Sequence, residues 1–432
     1  MQNRRKFIRQ ISSVTGALTI GSLWTEAHAQ KLEQEIQRIA PLSIEERVLD
    51  EQFWATIKQA YTVSATMLNL NNGGVSPQPL VVQQAVERYN RLCNETPSYF
   101  MWRVLDKGRE PLRQKLADLA GCQADEIAIN RNASEALETI IFGLPLKAGD
   151  EVVLTNKDYP NMMNAWKQRE LRDGIKLSWI DLKLPQEDEG QLVDIFVKRF
   201  TEKTKVVHLT HMINWSGQIL PVAKIATEAQ KRGIEVLVDG AHTFAHLNYK
   251  ILDLKADYFG TSLHKWLCAP FGSGMLYVRR PKIKKVFPLL AAPDPMSGNI
   301  RKFESLGTRS FAIEQAIAQA IDFHLMIGSK LKHQRLQYLK NYWAKRVVDL
   351  PNVHLHTSLD PRFGSAIALL SIDGISPTEL HNTLFRKHYI HTTTIDWKGL
   401  LGVRITPNVY VLTKDLDRLI NAIRSIAKAA LE

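Results

Sequence analysis

Val236-Leu237-Val238-Asp239-Gly240-Ala241-His242 is followed downstream by Thr261-Ser262-Leu263-His264-Lys265-Trp266, which places Lys265 26 positions after Asp239. The first stretch reads as a short buried strand that ends on a carboxylate. Such a carboxylate is costly to bury unless it meets a cation or hydrogen-bond donors. A protonated pyridine nitrogen would be one such partner, and the pair lets the ring act as an electron sink; an Asp that caps the next helix explains the same letters. The second stretch follows the strand-like Asp257-Tyr258-Phe259-Gly260 and precedes Gly272-Ser273-Gly274. A lysine at a strand end, flanked by hydroxyl and imidazole groups, is where a sheet protein can hold a phosphorylated aldehyde as a Schiff base. Taken alone, the same lysine is an ordinary solvated charge in a loop.

Working outward, the chain alternates helix and strand from about residue 109 to 280. Leu112, Leu116 and Leu119 recur at helical spacing between Arg109 and Ala120, and Glu126-Ile127-Ala128-Ile129 reads as a strand. Further strand-length runs are Val152-Val153-Leu154, Leu177-Ser178-Trp179-Ile180, Val206-Val207-His208-Leu209 and Met275-Leu276-Tyr277-Val278. This alternation predicts an α/β fold with a mainly parallel sheet covered on both faces. Asn130-Arg131-Asn132-Ala133-Ser134-Glu135 joins a strand to an apolar helix, where backbone amides and the Ser134 hydroxyl could seat a phosphate; N-capping by Asn132 with Glu135 is the plainer reading. Beyond about residue 320 come long helices, a strand-like Ile367-Ala368-Leu369-Leu370-Ser371, and a last helix carrying Leu416, Leu419, Ile420, Ile423 and Ile426. The expected division is residues 1–29 as an export signal, 30–68 as a helical segment packing with the small domain, 69–320 as the large domain, and 321–432 as a smaller α+β domain.

The 432 residues suffice for more than one domain. Part of the net charge of +12 belongs to the amino terminus, and the rest is scattered without a nucleic-acid motif, as on a solvated basic surface. Asn3-Arg4-Arg5-Lys6-Phe7-Ile8-Arg9, a mildly apolar stretch from Ile11 to Trp24, and Ala27-His28-Ala29 resemble a twin-arginine export signal cleaved after Ala29. That predicts a periplasmic or otherwise exported protein, a contact with the export machinery, and no stable membrane span; a basic helix is the alternative. Cys93, Cys122 and Cys268 form neither a disulfide framework nor a metal-ligand spacing, so no metal is expected. The one Gly-x-Gly, Gly272-Ser273-Gly274, precedes a strand instead of opening a helix, which argues against a nicotinamide-dependent enzyme.

In order and spacing, the Asp239 and Lys265 blocks resemble those of the class V aminotransferases, in particular the isopenicillin N epimerase-like branch, over about residues 68–410. The resemblance implies the fold of the PLP-dependent transferases (fold type I), with pyridoxal 5'-phosphate (PLP) as cofactor. It implies that Lys265 binds the cofactor and later moves the substrate α-proton, that Asp239 holds the ring nitrogen, and that His242 and Asn214 lie by the ring. Ala133, Ser134, Ser262 and His264 would hold the phosphate, completed by Thr308 from the second subunit of a homodimer. Tyr159 would stack on the ring, although a shift of one residue points to Asp158 instead. Arg404, in Gly402-Val403-Arg404-Ile405-Thr406-Pro407, would grip the substrate α-carboxylate bidentately, unless it is a structural ion pair; Asn72 would line the substrate side.

These shared parts start every reaction of the class in the same way and leave its outcome open. Cysteine desulfurases of this fold carry a nucleophilic cysteine upstream of the carboxylate-binding arginine, whereas His388-Tyr389-Ile390-His391-Thr392-Thr393-Thr394 has none, which disfavours that chemistry. Transfer of the amino group of an amino acid to a keto acid is the first expectation. Epimerisation or β-lyase chemistry is second, and a non-catalytic PLP-binding protein third. His211, Trp215, His391 and Trp397 are candidates for lining the side-chain pocket, or for packing alone.

Overall fold

The computed structural model describes residues 26–432. Its centre is a seven-stranded sheet. The strands are β2 (Ile127–Asn130), β3 (Glu151–Thr155), β4 (Lys176–Ile180), β5 (Thr204–Thr210), β6 (Glu235–Asp239), β7 (Tyr258–Ser262) and β8 (Gly274–Val278), in the spatial order β2-β8-β7-β6-β5-β3-β4. Neighbours from β7 through β6, β5 and β3 to β4 are parallel, and β8 alone runs against both of its neighbours. The inner parallel strands β5 and β6 are buried on both faces, so they read as apolar runs and not as alternating ones. Helices Arg109–Ala120 and Val222–Gln230 pack into one apolar cluster against the sheet, and Ala133–Gly143 and Pro160–Asp173 into another.

Parallel pairing aligns the carboxyl ends of the strands. Thr210 of β5 lies opposite Asp239 of β6, which lies opposite Gly260 of β7. Open sheets of this kind bind ligands along that edge.

A second sheet has the order β12-β13-β10-β9 and is antiparallel throughout, built from β9 (Val353–Leu355), β10 (Ala368–Ile372), β12 (Thr393–Trp397) and β13 (Leu400–Ile405). A further short pair joins β1 (Leu68–Asn69) to β11 (Ile390–His391) in parallel. Behind them, Leu32, Phe53, Trp54 and Ile57 from the first helices share one apolar cluster with Leu336, Trp343, Leu416 and Ile423. The helix Phe311–Ile327 runs through position 320: Ala316, Ile317 and Ile321 pack with the large sheet, while Phe323, Met326 and Ile327 pack with the second cluster. The signal-like residues up to 25 lie outside the described chain. Ala29 falls inside the helix Glu26–Ile39, where it is 1% exposed. Among the described residues no helix is long and apolar enough to cross a membrane.

Candidate active site

A cavity of about 400 Å³ opens at the carboxyl ends of β5, β6 and β7 and is closed from the other side by β12 and β13. Ala133, Ser134, Tyr159, Asn214, Asp239, His242, Ser262, His264, Lys265 and Arg404 all line it. Residues from six separate parts of the chain therefore converge on one space, although no two of the parts are local in sequence.

Asp239 closes β6, and the chain must turn away at once against Phe259. A Cβ at Gly240 would sit 1.9 Å from the Phe259 ring, so only glycine fits there. The Asp239 carboxylate is 4% exposed and accepts one hydrogen bond, from the Ala241 N–H at 2.9 Å. No ion pair among the described residues includes Asp239. Burial pushes its carboxyl above the usual range, against the pull of Ala241 and Lys265.

Lys265 sits on a loop fixed at several points. Leu263 N–H donates to the Ser273 carbonyl and Ala269 N–H to Leu263, and Trp266 is fully buried, with His246 stacked on it at 3.9 Å. The Lys332 ammonium donates to the Trp266 carbonyl. Trp266 Nε1 points at His242 Nδ1 (3.4 Å), and His242 Nε2 lies 3.2 Å from Lys265 Nζ. An indole only donates, so Nδ1 is the acceptor and Nε2 carries the proton in the neutral imidazole. Nε2–H then donates to the amine whenever Lys265 is neutral. Consistent with this, burial lowers Lys265 to about 8, with Asp239 opposing and Arg404 adding to the shift. The side chain remains reachable through the cavity although protein surrounds it. His242 is held well below its ordinary value, chiefly by burial and then by Lys265.

Ser134 and the amino end of the helix Ala133–Gly143 form one end of the cavity. Asn132 caps that helix through Glu135 N–H, and the Ala133 N–H donates to Ser262 Oγ at 2.9 Å, so capping and cavity lining coexist. His264 Nδ1 meets the Ser273 carbonyl at 3.1 Å, so that bond fixes the orientation of its ring. Burial and Lys265 keep His264 below its ordinary value, and an anion at this end would act in the opposite direction.

Tyr159 precedes Pro160 at the start of the helix Pro160–Asp173. Asp158 points the other way: it is fully buried, accepting from Thr210 Oγ1 (2.7 Å) and Thr155 N–H (2.8 Å). Burial raises Asp158 to about 7. Of the two neighbours, Tyr159 is therefore the one that faces the cavity, and Lys265 Nζ lies over its ring, 6.0 Å from the centroid.

Arg404, 7% exposed on β13, donates to the Asn214 carbonyl (2.9 Å) and to Asn71 Oδ1 (3.2 Å), while its Nε has no partner. No carboxylate pairs with it among the described residues, and burial lowers it to about 10. A buried guanidinium without an anion is a site prepared for one.

Asn72 stands elsewhere, and Thr308, expected from a second subunit, lies outside this chain's cavity. Asn72 is fully buried, and its amide is engaged by the Thr406 carbonyl (2.8 Å) and the Tyr410 hydroxyl (2.5 Å), so it shapes the turn; its neighbour Asn71 is the residue that reaches Arg404. Thr308 is exposed and does not line the cavity of this chain. Its segment is tethered by Glu304, which pairs with Arg109 and Arg113. Of the pocket candidates only Trp215 lines the cavity, stacked on Trp397 at 5.0 Å, while His211 packs against Tyr249. Thr210, Thr393 and Thr394 line it as well. Thr210 could have been anticipated, since it ends β5 level with Asp239; a choice between Asn71 and Asn72 carries no signal in the letters.

Residues 68–399 match the sequence model of the family described as Aminotransferase class-V. The chain belongs to this family. It is 25% identical over 390 residues to isopenicillin N epimerase of Streptomyces clavuligerus, covering 86% of this chain and 98% of that one. A probable cysteine desulfurase of Synechocystis sp. is 26% identical, over 74% of this chain and 80% of its own length. Among solved structures, the cystine C-S lyase C-DES in complex with cysteine persulfide superposes with a TM-score of 0.75 at 21% identity, covering 83% and 97% of the two chains. The cysteine desulfurase CsdA from Escherichia coli gives 0.76 at 18% identity, covering 87% and 98%. The fold is the fold type I α/β architecture of PLP-dependent enzymes, and PLP is the cofactor of this class V protein. The cavity fits it. A buried carboxylate lacking a cation stands at the sheet edge, a helix amino terminus with two serines and an imidazole stands at one end, and a lysine that burial lowers to about 8 stands between them.

Proposed function

We propose that this class V enzyme inverts the α-carbon of a free amino acid by moving its α-proton. The observation that carries the reading is Arg404, a buried guanidinium without an anionic partner, in the same cavity as a lysine lowered to about 8. Arg404 binds and orients the α-carboxylate, and Asn71 and the Asn214 carbonyl hold the guanidinium in place. Asp239 would hold the ring nitrogen, and Lys265, lowered by burial and lying beside His242, would take the proton. PLP bound there supplies an electron sink for the pair left when the α-C–H bond breaks. Inversion is preferred because the likeness to isopenicillin N epimerases extends over nearly their whole length.

Amino-group transfer to a keto acid, supported by the family's description, is the second reading; it uses the same groups and differs in where the proton returns. Sulfur removal through a protein thiol has less support. None of Cys93, Cys122 and Cys268 lines the cavity, and Thr393 and Thr394 occupy the stretch upstream of Arg404. We further propose export by the twin-arginine route, the division into large and small domains, and a homodimer in which the partner's Thr308 completes the phosphate site.

The test is PLP-loaded protein incubated with single L- and D-amino acids, with product chirality, cofactor form and released sulfide measured together. Inversion with PLP retained is expected. Conversion to pyridoxamine phosphate with a keto acid, or sulfide release without inversion, overturns the reading.

A further inference from the structure

Inversion requires a proton to leave one face of the α-carbon and another to arrive on the opposite face. Lys265 serves one face. We propose that Tyr159 is the second catalytic acid/base, delivering its phenolic proton to the other face. This rests on the inversion reading above.

Lys265 Nζ lies over the Tyr159 ring, 6.0 Å from its centroid, so amine and ring face each other across a gap about 2 Å wider than a single van der Waals contact. A flat group held on Lys265 and Asp239 would enter that gap, with amine and phenol on opposite sides. The remaining protic groups of the cavity are on the wrong side, at its far end, or weaker acids. His242 is hydrogen-bonded to Lys265 and therefore shares its side. Asp239 and Thr210 are at the strand ends, with Thr210 donating to Asp158. Ser134, Ser262 and His264 belong to the phosphate end. Thr393 and Thr394 are alkyl alcohols, far weaker acids than a phenol.

The backbone at Tyr159 is anchored on both sides. The buried anchors of Asp158 on one side and Pro160 at the helix start on the other fix its backbone. Its ring is 39% exposed, so solvent can return a proton to it. Arg404 lines the same cavity as Tyr159.

The step balances. The C–H bond on the lysine face breaks and its proton goes to Nζ, while the electron pair is held in the bound ring system. That pair then forms a C–H bond on the opposite face with the phenolic proton. Lys265 releases its proton and Tyr159 regains one from solvent, so no electron is gained or lost and no co-reactant is required.

The experiment uses PLP-loaded wild type, Tyr159→Phe and Lys265→Ala with L- and D-alanine, L- and D-methionine and L- and D-glutamate in deuterium oxide, reading α-deuterium and chirality separately. Phe keeps the ring, and retained cofactor absorbance verifies that the variant is loaded. Tyr159→Phe should lose inversion by about 100-fold or more, the usual contribution of a general acid. It should still wash deuterium into one enantiomer only, the one whose α-hydrogen faces Lys265. A structural role would depress exchange in both enantiomers alike, and that result overturns the proposal, as does inversion retained within about threefold of wild type. If wild type inverts none of the six, both the inversion reading and this assignment fall; if wild type inverts and the variant does too, only Tyr159 falls.

Discussion

The state of Lys265 before the cofactor arrives should govern how fast it is loaded. Only the neutral amine attacks an aldehyde, so its reactivity rises with pH until the amine is fully deprotonated and then levels off. With Lys265 at about 8, roughly a tenth of the amine is free base at pH 7, against about one part in 2,500 for an unperturbed lysine, a gain of about 250-fold. Two substitutions move this in opposite directions. Asp239 raises Lys265, so Asp239→Asn should load faster at neutral pH and level off earlier; Arg404 lowers it, so Arg404→Gln should load more slowly and level off later. The assay is stopped-flow absorbance of cofactor-free protein mixed with excess PLP from neutral to alkaline pH, divided by the rate of a free lysine derivative to remove the aldehyde's own titration. A corrected rate that climbs without a break to the ordinary lysine range, or substitutions that shift the break the other way, would refute the reasoning.

Arg404→Ala should leave cofactor loading possible but raise KM for every amino acid, because losing one partner of a buried charge pair is worth about 2–5 kcal/mol; steady-state kinetics against the amine-only analogue, which lacks the carboxylate and should be unaffected, makes the comparison. Gly240→Ala should lower the denaturant midpoint sharply, since the new Cβ meets the Phe259 ring, and Phe259→Leu in the same chain should recover part of the loss in a double-mutant cycle. Trp266→Ala, which removes a fully buried indole between His246 and His242, should cost about 3–5 kcal/mol in equilibrium unfolding. If the homodimer proposal holds, the hybrid dimer of Thr308→Ala and Lys265→Ala chains, isolated from the parental dimers by differential tags, should have one site with both defects and one with neither, visible as two PLP affinities.

The parallel sheet was legible because its inner strands are buried on both faces, and burial leaves only short apolar runs such as Val152-Val153-Leu154 and Val236-Leu237-Val238 between helices. The cofactor end of the site was legible for a related reason: Asp239 and Lys265 each follow a strand, and parallel pairing forces strand ends together. Features made by distant pairing were not. Nothing local marks Leu68–Asn69 as the partner of Ile390–His391, two-residue strands far apart in the chain. Position 320 read as a change of texture, yet the helix Phe311–Ile327 continues through it, because one apolar helix can serve two cores at once. The uncertainty between Asp158 and Tyr159 could be removed only by seeing which side chain Thr210 and Thr155 draw inward. Asn71 and Asn72 differ in role because Tyr410, 338 positions on, engages the second of them.

The most direct test of the account is to reduce the PLP-loaded protein with borohydride, digest it, and locate the modified peptide by mass spectrometry. The account predicts a single phosphopyridoxyl group on Lys265, absent from Lys265→Ala, together with loss of all turnover on reduction. Label on another lysine with Lys265 unmodified, or turnover that survives reduction, would contradict it.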